Sequence, residues 1–224
     1  MYDTRKRKGD KTMNQHYPFE LPPLNYRYND LEPYISGEII RIHHNVLMQS
    51  YVDKLNDTLS HFPQYQSWSL KNLVAYSNTF PPALRKNIEN YAGGLYNHYI
   101  YFNSMTPNGR TPTHQLMTQI KNSFGTFDNM KKAIQNSANK NFGCGYTWLV
   151  CNKNCNLQII NTQRQNTPPL TLVSPIITID LWEHAFFPQY INNRSEYVLN
   201  WMKIADWNKV CEYTACSLPA KIKY

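Results

Sequence analysis

The 224-residue sequence predicts an α+β protein: an N-terminal α-helical hairpin domain followed by a C-terminal α/β domain with a small three-stranded antiparallel sheet. Two long segments of the first half repeat apolar residues at helical spacing, whereas the second half contains three strand-like runs. Between them, residues 105–113 carry two Pro and a Gly, which break both patterns. We therefore expect a basic flexible tail at 1–16, the helical domain at 17–107 and the α+β domain at 108–224.

The first predicted helix follows Ser36, whose hydroxyl can accept a hydrogen bond from the first turn. Its apolar face, at helical spacing, consists of Ile39, Ile40, Val46, Leu47 and Tyr51. A second long helix begins after Pro81 and Pro82. Its inward stripe advances in steps of four and three through Leu84, Ile88, Tyr91, Leu95, His98 and Phe102.

The second half mixes helices and strands. A helix is predicted after FGTFD, followed by the strand-like runs YTWLVC, NLQIIN and LTLVSPIITIDLW. A short polar turn joins the first two runs, which predicts an antiparallel hairpin. The segment SEYVLNWMKIADWNKVCEYTA (195–215) returns to helical spacing and predicts a last helix.

Composition excludes several classes of protein. With 42% hydrophobic residues the chain can build a core, but it has no run of about 18 apolar residues that would span a membrane. The first twelve residues lack the apolar stretch of a secretory signal and the apolar stripe of a mitochondrial transit peptide. The net charge is +8, and the basic cluster Arg5–Lys8 is typical either of a nucleic-acid patch or of a solvated tail. We expect the tail and no nucleic-acid partner.

The five cysteines predict reduced thiols, because their number is odd and no signal peptide is recognisable. Cys151 and Cys155 flank the turn NKN and can face each other across a hairpin. Without a matching second pair, their spacing is weak support for zinc. We expect an intracellular location, with the mitochondrial matrix and the cytoplasm both open.

Asp180 and His184 lie at the end of an apolar strand pattern in ITIDLWEHAFFPQY (177–190). Their spacing places both side chains on one side if the strand leads directly into a helix. His43 and His98 occupy inward positions of the two long helices. Three imidazoles and one carboxylate suit iron, manganese or zinc better than calcium or copper(I). From the residues alone, a metal site and hydrogen-bonded core histidines both remain open.

The stretch DLWEHAFFPQY closely resembles the D-x-W-E-H-A-[YF]-[YF]-x-x-Y signature of the iron/manganese superoxide dismutases. From residue 17 onward, six further segments are similar to that family in the same order: YPFELPPLNYRYNDLEPYIS, HHNVLMQSYVDKLN, YNHYIYFNSMTPNG, SFGTFDNMK, GYTWLV and NLQII. Seven motifs in one order exceed what chance explains. The resemblance implies a superoxide dismutase that converts superoxide to dioxygen and hydrogen peroxide at one manganese or iron ion per chain.

The resemblance assigns four metal ligands: His43, His98, Asp180 and His184. It implies that Trp182 packs beside the metal and that residues 108–224 form the metal-binding α+β domain. It also implies that Glu183 reaches across a twofold interface to the partner subunit's His184. A homodimer follows from this contact, with a tetramer or a larger assembly as open alternatives.

Two further residues match family residues that assist catalysis. Tyr51 matches the gateway tyrosine, whose hydroxyl lies in the substrate channel. Gln165 matches the glutamine that hydrogen-bonds the metal-bound solvent in the manganese subgroup. The iron subgroup provides this glutamine from the second ligand helix, where the chain has Gly94. The resemblance therefore favours manganese over iron.

The chain departs from the family near the site at Leu47, Met48, Leu95, Phe102, Tyr146 and Phe187. Leu47 and Phe187 replace a His and a Tyr that usually hydrogen-bond across the dimer, and replacing both avoids an unpaired buried polar group. We expect slower proton delivery as a result. These losses keep a second hypothesis open, a catalytically weak or inactive superoxide-dismutase-like structural subunit of a large assembly such as a mitochondrial one.

Overall fold

The structure, a computed structural model, describes residues 13–209. The predicted basic cluster Arg5–Lys8 and the cysteines Cys211 and Cys216 lie outside the described residues. The helices are α1 (Gly37–Ile42), α2 (Gln49–Ser60), α3 (Leu70–Ala75), α4 (Pro82–Asn87), α5 (Gly93–Asn103), α6 (His114–Phe124), α7 (Phe127–Lys140), α8 (Glu183–Tyr190) and α9 (Arg194–Ile204). The strands are β1 (Gly145–Asn152), β2 (Leu157–Gln163) and β3 (Val173–Asp180). No helix among residues 13–209 is long and apolar enough to span a membrane.

Each of the two long helices predicted in the first half contains a π turn. α1 passes into α2 through His43–Met48, and α4 passes into α5 through Ile88–Ala92. A π turn closes its hydrogen bonds one residue later than an α turn, so the inward face shifts along the sequence. The predicted apolar face is therefore wrong at Val46, which is 55% exposed, whereas Met48 is 1% exposed.

Short polar side chains define where several helices begin. The prediction for Ser36 is confirmed, because its hydroxyl accepts a hydrogen bond from the backbone of Ile39 at 3.3 Å. The threonines before α6 and α7 act in the same way. Helix α6 was not predicted from the sequence. The prediction of the last helix is wrong at residues 205–209, because α9 ends at Ile204 and Ala205 is extended; residues 210–215 of the predicted segment lie outside the described residues.

The sheet has the order β2-β1-β3, and both pairs are antiparallel, which confirms the predicted hairpin and the three-stranded sheet. The central strand β1 is buried along nearly its whole length. Its register with β3 places Tyr146 opposite Asp180. This pairing brings a phenol next to the predicted ligand at the end of β3.

Helix α5 is attached to the sheet by polar contacts as well as by the core. The backbone N–H of Thr178 in β3 donates to the hydroxyl of Ser104, just after α5, at 2.9 Å. Beyond Ser104, the backbone N–H of Thr106 donates to the carbonyl of Ile204 at 2.8 Å. The first contact fixes the helix that carries His98 against the strand that ends at Asp180, and the second joins the segment after this helix to the end of α9.

The cysteines differ in part from the prediction. Cys144 and Cys151 are reduced. The prediction of reduced thiols is wrong for Cys155, which is disulfide-bonded. Cys151 and Cys155 therefore do not bond to each other across the turn.

Candidate metal centre

His43 and His98 reach the candidate centre from the two long helices. His43 begins the first π turn, His98 lies on α5, and both side chains are buried. Their rings pack edge to face with centroids 4.8 Å apart. His98 Nδ1 donates to the carbonyl of Gly94 at 2.6 Å, so Nε2 of the neutral imidazole carries a free lone pair. This hydrogen bond determines which nitrogen of His98 can bind a cation.

Asp180 and His184 come from the junction of β3 and α8. Because the helix follows the strand almost directly, the predicted proximity is confirmed: His184 Nε2 lies 3.5 Å from Asp180 Oδ2. The same oxygen lies 3.3 Å from His43 Nε2 and 3.7 Å from His98 Nε2. The other oxygen, Oδ1, accepts a hydrogen bond from the backbone N–H of Trp182 at 2.8 Å, which orients the carboxylate.

Four side-chain atoms share the properties of metal ligands: Nε2 of His43, Nε2 of His98, Nε2 of His184 and Oδ2 of Asp180. None has a hydrogen-bond partner among the described residues, and all lie within 4.8 Å of one another. Two ligand atoms about 2.1 Å from an ion at a tetrahedral angle are about 3.4 Å apart. Contacts of 3.3–3.7 Å to Asp180 Oδ2 match that spacing. Unpaired buried polar atoms are costly, and a cation at their centre would satisfy all four.

Electrostatics keep His43, His98 and Asp180 in the forms that bind cations. Burial lowers the pKa of His43 to about 3 and that of His98 to about 4. Burial opposes ionisation of Asp180, but the neighbouring imidazoles of His184 and His43 outweigh it and lower the pKa of this carboxyl below its ordinary value. Neutral imidazoles and an ionised carboxylate are the metal-binding forms. Three nitrogens and one oxygen suit manganese, iron or zinc.

A hydrogen-bonded array of two tyrosines and a glutamine adjoins the four ligand side chains. Gln165 Nε2 donates to the Tyr51 hydroxyl at 2.9 Å, and the Tyr146 hydroxyl donates to Gln165 Oε1 at 3.0 Å. The Tyr51 ring lies 5.2 Å from that of His98, centroid to centroid. Burial and the charge of Asp180 raise the pKa of Tyr51 to about 12, so this phenol keeps its proton at neutral pH. The array therefore holds a protonated phenol beside the centre.

Gly94 on α5 allows Tyr51 to approach closely. A Cβ atom at this position would lie 2.6 Å from Cδ1 of the Tyr51 ring, which is much shorter than van der Waals contact. A side chain on Gly94 would therefore displace Tyr51. The amide next to Tyr51 comes from Gln165, in the turn after β2, and not from α5.

Three of the remaining predicted site residues, Trp182, Glu183 and Phe187, lie at or on α8, and Leu47 lies on the first π turn. The Trp182 ring stacks on that of His184, with centroids 5.7 Å apart and planes inclined by 20°. Glu183 is exposed in the single chain, Phe187 is 51% exposed and Leu47 is partly buried. Trp182 is thus brought to the ligands, whereas Glu183 and Phe187 face outward.

Sequence reasoning missed three buried residues that support the centre: Asn97, Tyr101 and Tyr197. Tyr101 stacks on His43 at 5.4 Å, and its hydroxyl lies 3.1 Å from that of Tyr197. The Tyr197 hydroxyl donates to the backbone carbonyl of Asp180 at 2.9 Å. Asn97 Nδ2 donates to the backbone carbonyl of Gln165, 68 residues away, at 3.0 Å. No periodic or local pattern indicates contacts over such separations.

The helical hairpin, the three-stranded sheet and the cluster of three histidines with one aspartate define a protein built to hold a single transition-metal ion. Comparison with known families identifies the class of metal-binding protein. The chain belongs to the iron/manganese superoxide dismutases: the alpha-hairpin domain of that family matches residues 18–106, and its C-terminal domain matches residues 112–213.

Individual relatives agree with the family. Superoxide dismutase [Mn] 1 of Leptolyngbya boryana is 37% identical over 196 residues, which cover 86% of this chain and 79% of the relative. Superoxide dismutase [Mn] 2 of Bacillus anthracis is 36% identical, over 87% of this chain and 93% of the relative. Superoxide dismutase [Mn] of Listeria ivanovii is 35% identical, over 85% of this chain and 95% of the relative.

Proposed function

We propose that this protein is a superoxide dismutase that converts 2 O2•− and 2 H+ to O2 and H2O2 at one manganese ion per chain. The ligands in this proposal are His43, His98, Asp180 and His184. The observation that carries it is the convergence of four unpartnered ligand atoms within 4.8 Å, in a chain of the iron/manganese superoxide dismutase family.

Metal content tests the proposal most directly. We expect the purified protein to hold about one manganese or iron ion per chain and little zinc, because a three-His, one-Asp set binds a single ion and the chain belongs to the iron/manganese superoxide dismutases. Elemental analysis gives the content, and turnover measured after reconstitution with each metal gives the activity. Protein that contains mostly zinc, or that folds without retaining manganese or iron, contradicts the proposal. Bound manganese or iron without dismutation supports the structural-subunit hypothesis instead.

Each residue of the centre has a separate role in the proposed reaction. When bound, the ion supplies one-electron redox chemistry by alternating between its +3 and +2 states. Asp180 contributes the single negative charge among the four ligands and thereby favours the more highly charged state. Tyr51 holds a proton beside the centre, and the reaction consumes two protons per turnover. Gln165 keeps the Tyr51 hydroxyl in place by donating to its oxygen.

The choice of manganese over iron rests on two observations. The relatives described above are named manganese superoxide dismutases. Gln165 provides the amide beside Tyr51, and the space at Gly94 is filled by the Tyr51 ring. The amide is therefore supplied from the position typical of the manganese subgroup.

We further propose a homodimer in which Glu183 contacts the partner subunit's His184. Glu183 lies exposed in the first turn of α8, next to the ligand His184, and Phe187 is exposed one turn later on the same helix. A carboxylate that bonds a metal-bound imidazole fixes its tautomer and raises its basicity. In this arrangement each subunit completes the site of the other.

Replacing Glu183 with alanine should weaken dimerisation and metal retention together. We expect metal affinity to fall by about 10–100-fold, the usual loss when a hydrogen-bond partner of a ligand is removed. Sedimentation measures the oligomer and a chelator competition measures retention. Glu38→Ala is the matched control, because Glu38 is also an exposed acid in a first helical turn, that of α1. A fully metallated dimer in Glu183→Ala would contradict the proposed contact.

Leu47 and Phe187 should behave as a coupled apolar pair across this interface. Leu47→His alone is expected to destabilise the protein by about 1–3 kcal/mol, because the imidazole would be buried without a partner. Leu47→His combined with Phe187→Tyr should be tolerated, since the two polar groups can bond each other. Denaturant titration of the single and double variants measures the coupling. Additive changes in the free energy of unfolding would show that the two residues do not touch.

A further inference from the structure

The loop that carries Gln165 is held to α5 by one side chain. Asn97 is fully buried on α5, and its Nδ2 lies 3.0 Å from the backbone carbonyl of Gln165, 3.4 Å from Gln165 Oε1 and 3.5 Å from the backbone carbonyl of Asn166. An amide nitrogen has two hydrogens, so these three acceptors share them. Asn97 therefore contacts both the backbone and the side chain of Gln165.

The backbone carbonyl of Gln165 also lies close to the backbone of Gly93. A Cβ atom on Gly93, one helical turn before Asn97, would lie 2.5 Å from the Gln165 carbonyl oxygen. Gly93 thus lets the loop approach the backbone of α5, and Asn97 holds it there. The close approach of the Gln165 loop to α5 therefore depends on the absence of a side chain at Gly93 and on the side-chain amide of Asn97.

A pocket adjoins the loop beside this contact. Its volume is about 260 Å³, and it lies between residues 165–167 and Val74, Ser77, Ile88, Glu89 and Gly93. Packing across this pocket cannot set the position of the loop, because contact is lost across a gap. The hydrogen bond from Asn97 therefore holds the backbone of Gln165, whereas Tyr51 and Tyr146 hold its side chain.

We propose that Asn97 is a positioning residue that sets the Gln165 amide, and through it the Tyr51 hydroxyl, relative to the metal centre. The proposal rests on the function proposed above. Gln165 is 5% exposed and bonds Tyr51 and Tyr146, so a displacement of its backbone changes both hydrogen bonds. Asn97 acts through Gln165 and is not itself a catalytic residue.

Asn97→Ala tests this role in the full-length, manganese-loaded protein. We expect a shifted Mn(III)/Mn(II) potential and a changed visible absorption, because the amide beside the ion moves. In metal-free protein, amide hydrogen exchange at residues 165–167 should become roughly tenfold faster, the factor that corresponds to 1.4 kcal/mol. Asn56→Ala is the control, because Asn56 also clamps a loop, through two hydrogen bonds to the backbone of Phe19, away from the four ligands.

A double-mutant comparison separates positioning from general stability. If Asn97 acts through Gln165, Asn97→Ala should leave the potential unchanged in a Gln165→Ala background. An equal shift in both backgrounds, or a wild-type potential and wild-type exchange in Asn97→Ala, overturns the proposal. If Asn97→Ala does not fold, Gly93→Ala is the second test. It displaces the Gln165 carbonyl but keeps every hydrogen-bond donor, so it should shift the potential in the same way. An unchanged potential in Gly93→Ala counts against the proposal. Failure of the function itself would appear separately, as wild-type protein without turnover.

Discussion

Replacing Asp180 with asparagine is expected to lower the affinity of the protein for manganese by more than about 100-fold. Removing a residue that only hydrogen-bonds a metal ligand already lowers metal affinity by about 10–100-fold, and Asp180 is proposed to bind the ion directly. The substitution is nearly isosteric. It keeps an oxygen that can accept the hydrogen bond from the backbone N–H of Trp182. It removes the charge, and with it the oxygen that lies 3.3–3.7 Å from the three histidine Nε2 atoms. A loss of binding would therefore report the lost ligand and not a lost fold.

Thermal unfolding with and without metal measures this effect. A ligand present at 100 times its dissociation constant stabilises the folded state by about 2.7 kcal/mol, so the wild-type melting temperature should rise with added manganese. The melting temperature of Asp180→Asn should not change. Asp206→Asn is the matched control, because Asp206 is also largely buried but pairs with Arg110 and Lys209. Equal stabilisation by manganese in Asp180→Asn and wild type would exclude Asp180 as a ligand.

The clustering of His43, His98, Asp180 and His184 could be predicted from the sequence because each lies in an element with a recognisable local pattern. Asp180 and His184 end a strand and enter a helix, and His43 and His98 lie on inward helical faces. Spacing left a metal site and buried core histidines equally open. The ordered family motifs favoured the metal site, and the unpartnered ligand atoms in the structure agree with it.

Other features could not be predicted because they arise from backbone irregularity or from distant contacts. Helical periodicity assumes α turns, so it placed Val46 inward and did not anticipate the π turn that buries Met48. Asn97 and Tyr197 support Gln165 and Asp180 across long separations. Their identities follow no local pattern, and only the folded chain shows what they contact.

Replacing Gln165 with alanine is expected to lower turnover by about 100-fold, the effect typical of removing a preorganised donor from an active site. It should also lower the free energy of unfolding by about 1–3 kcal/mol, because the buried hydroxyl of Tyr146 and the partly buried hydroxyl of Tyr51 lose a partner. Pulse radiolysis measures turnover and denaturant titration measures stability. Tyr51→Phe is the comparison, since it removes one hydroxyl of the array and keeps the amide. It should slow turnover mainly at high superoxide, where proton delivery limits the rate.

Moving the glutamine to α5 should not rescue activity. In Gln165→Ala combined with Gly94→Gln, the new side chain would begin with a Cβ atom 2.6 Å from the Tyr51 ring. Tyr51 would have to move, and its position beside His98 would be lost along with the proton that it holds. We therefore expect the double variant to be no more active than Gln165→Ala with either metal. Wild-type turnover in the double variant with iron would show that α5 can supply the amide, and that the manganese assignment from Gln165 is wrong.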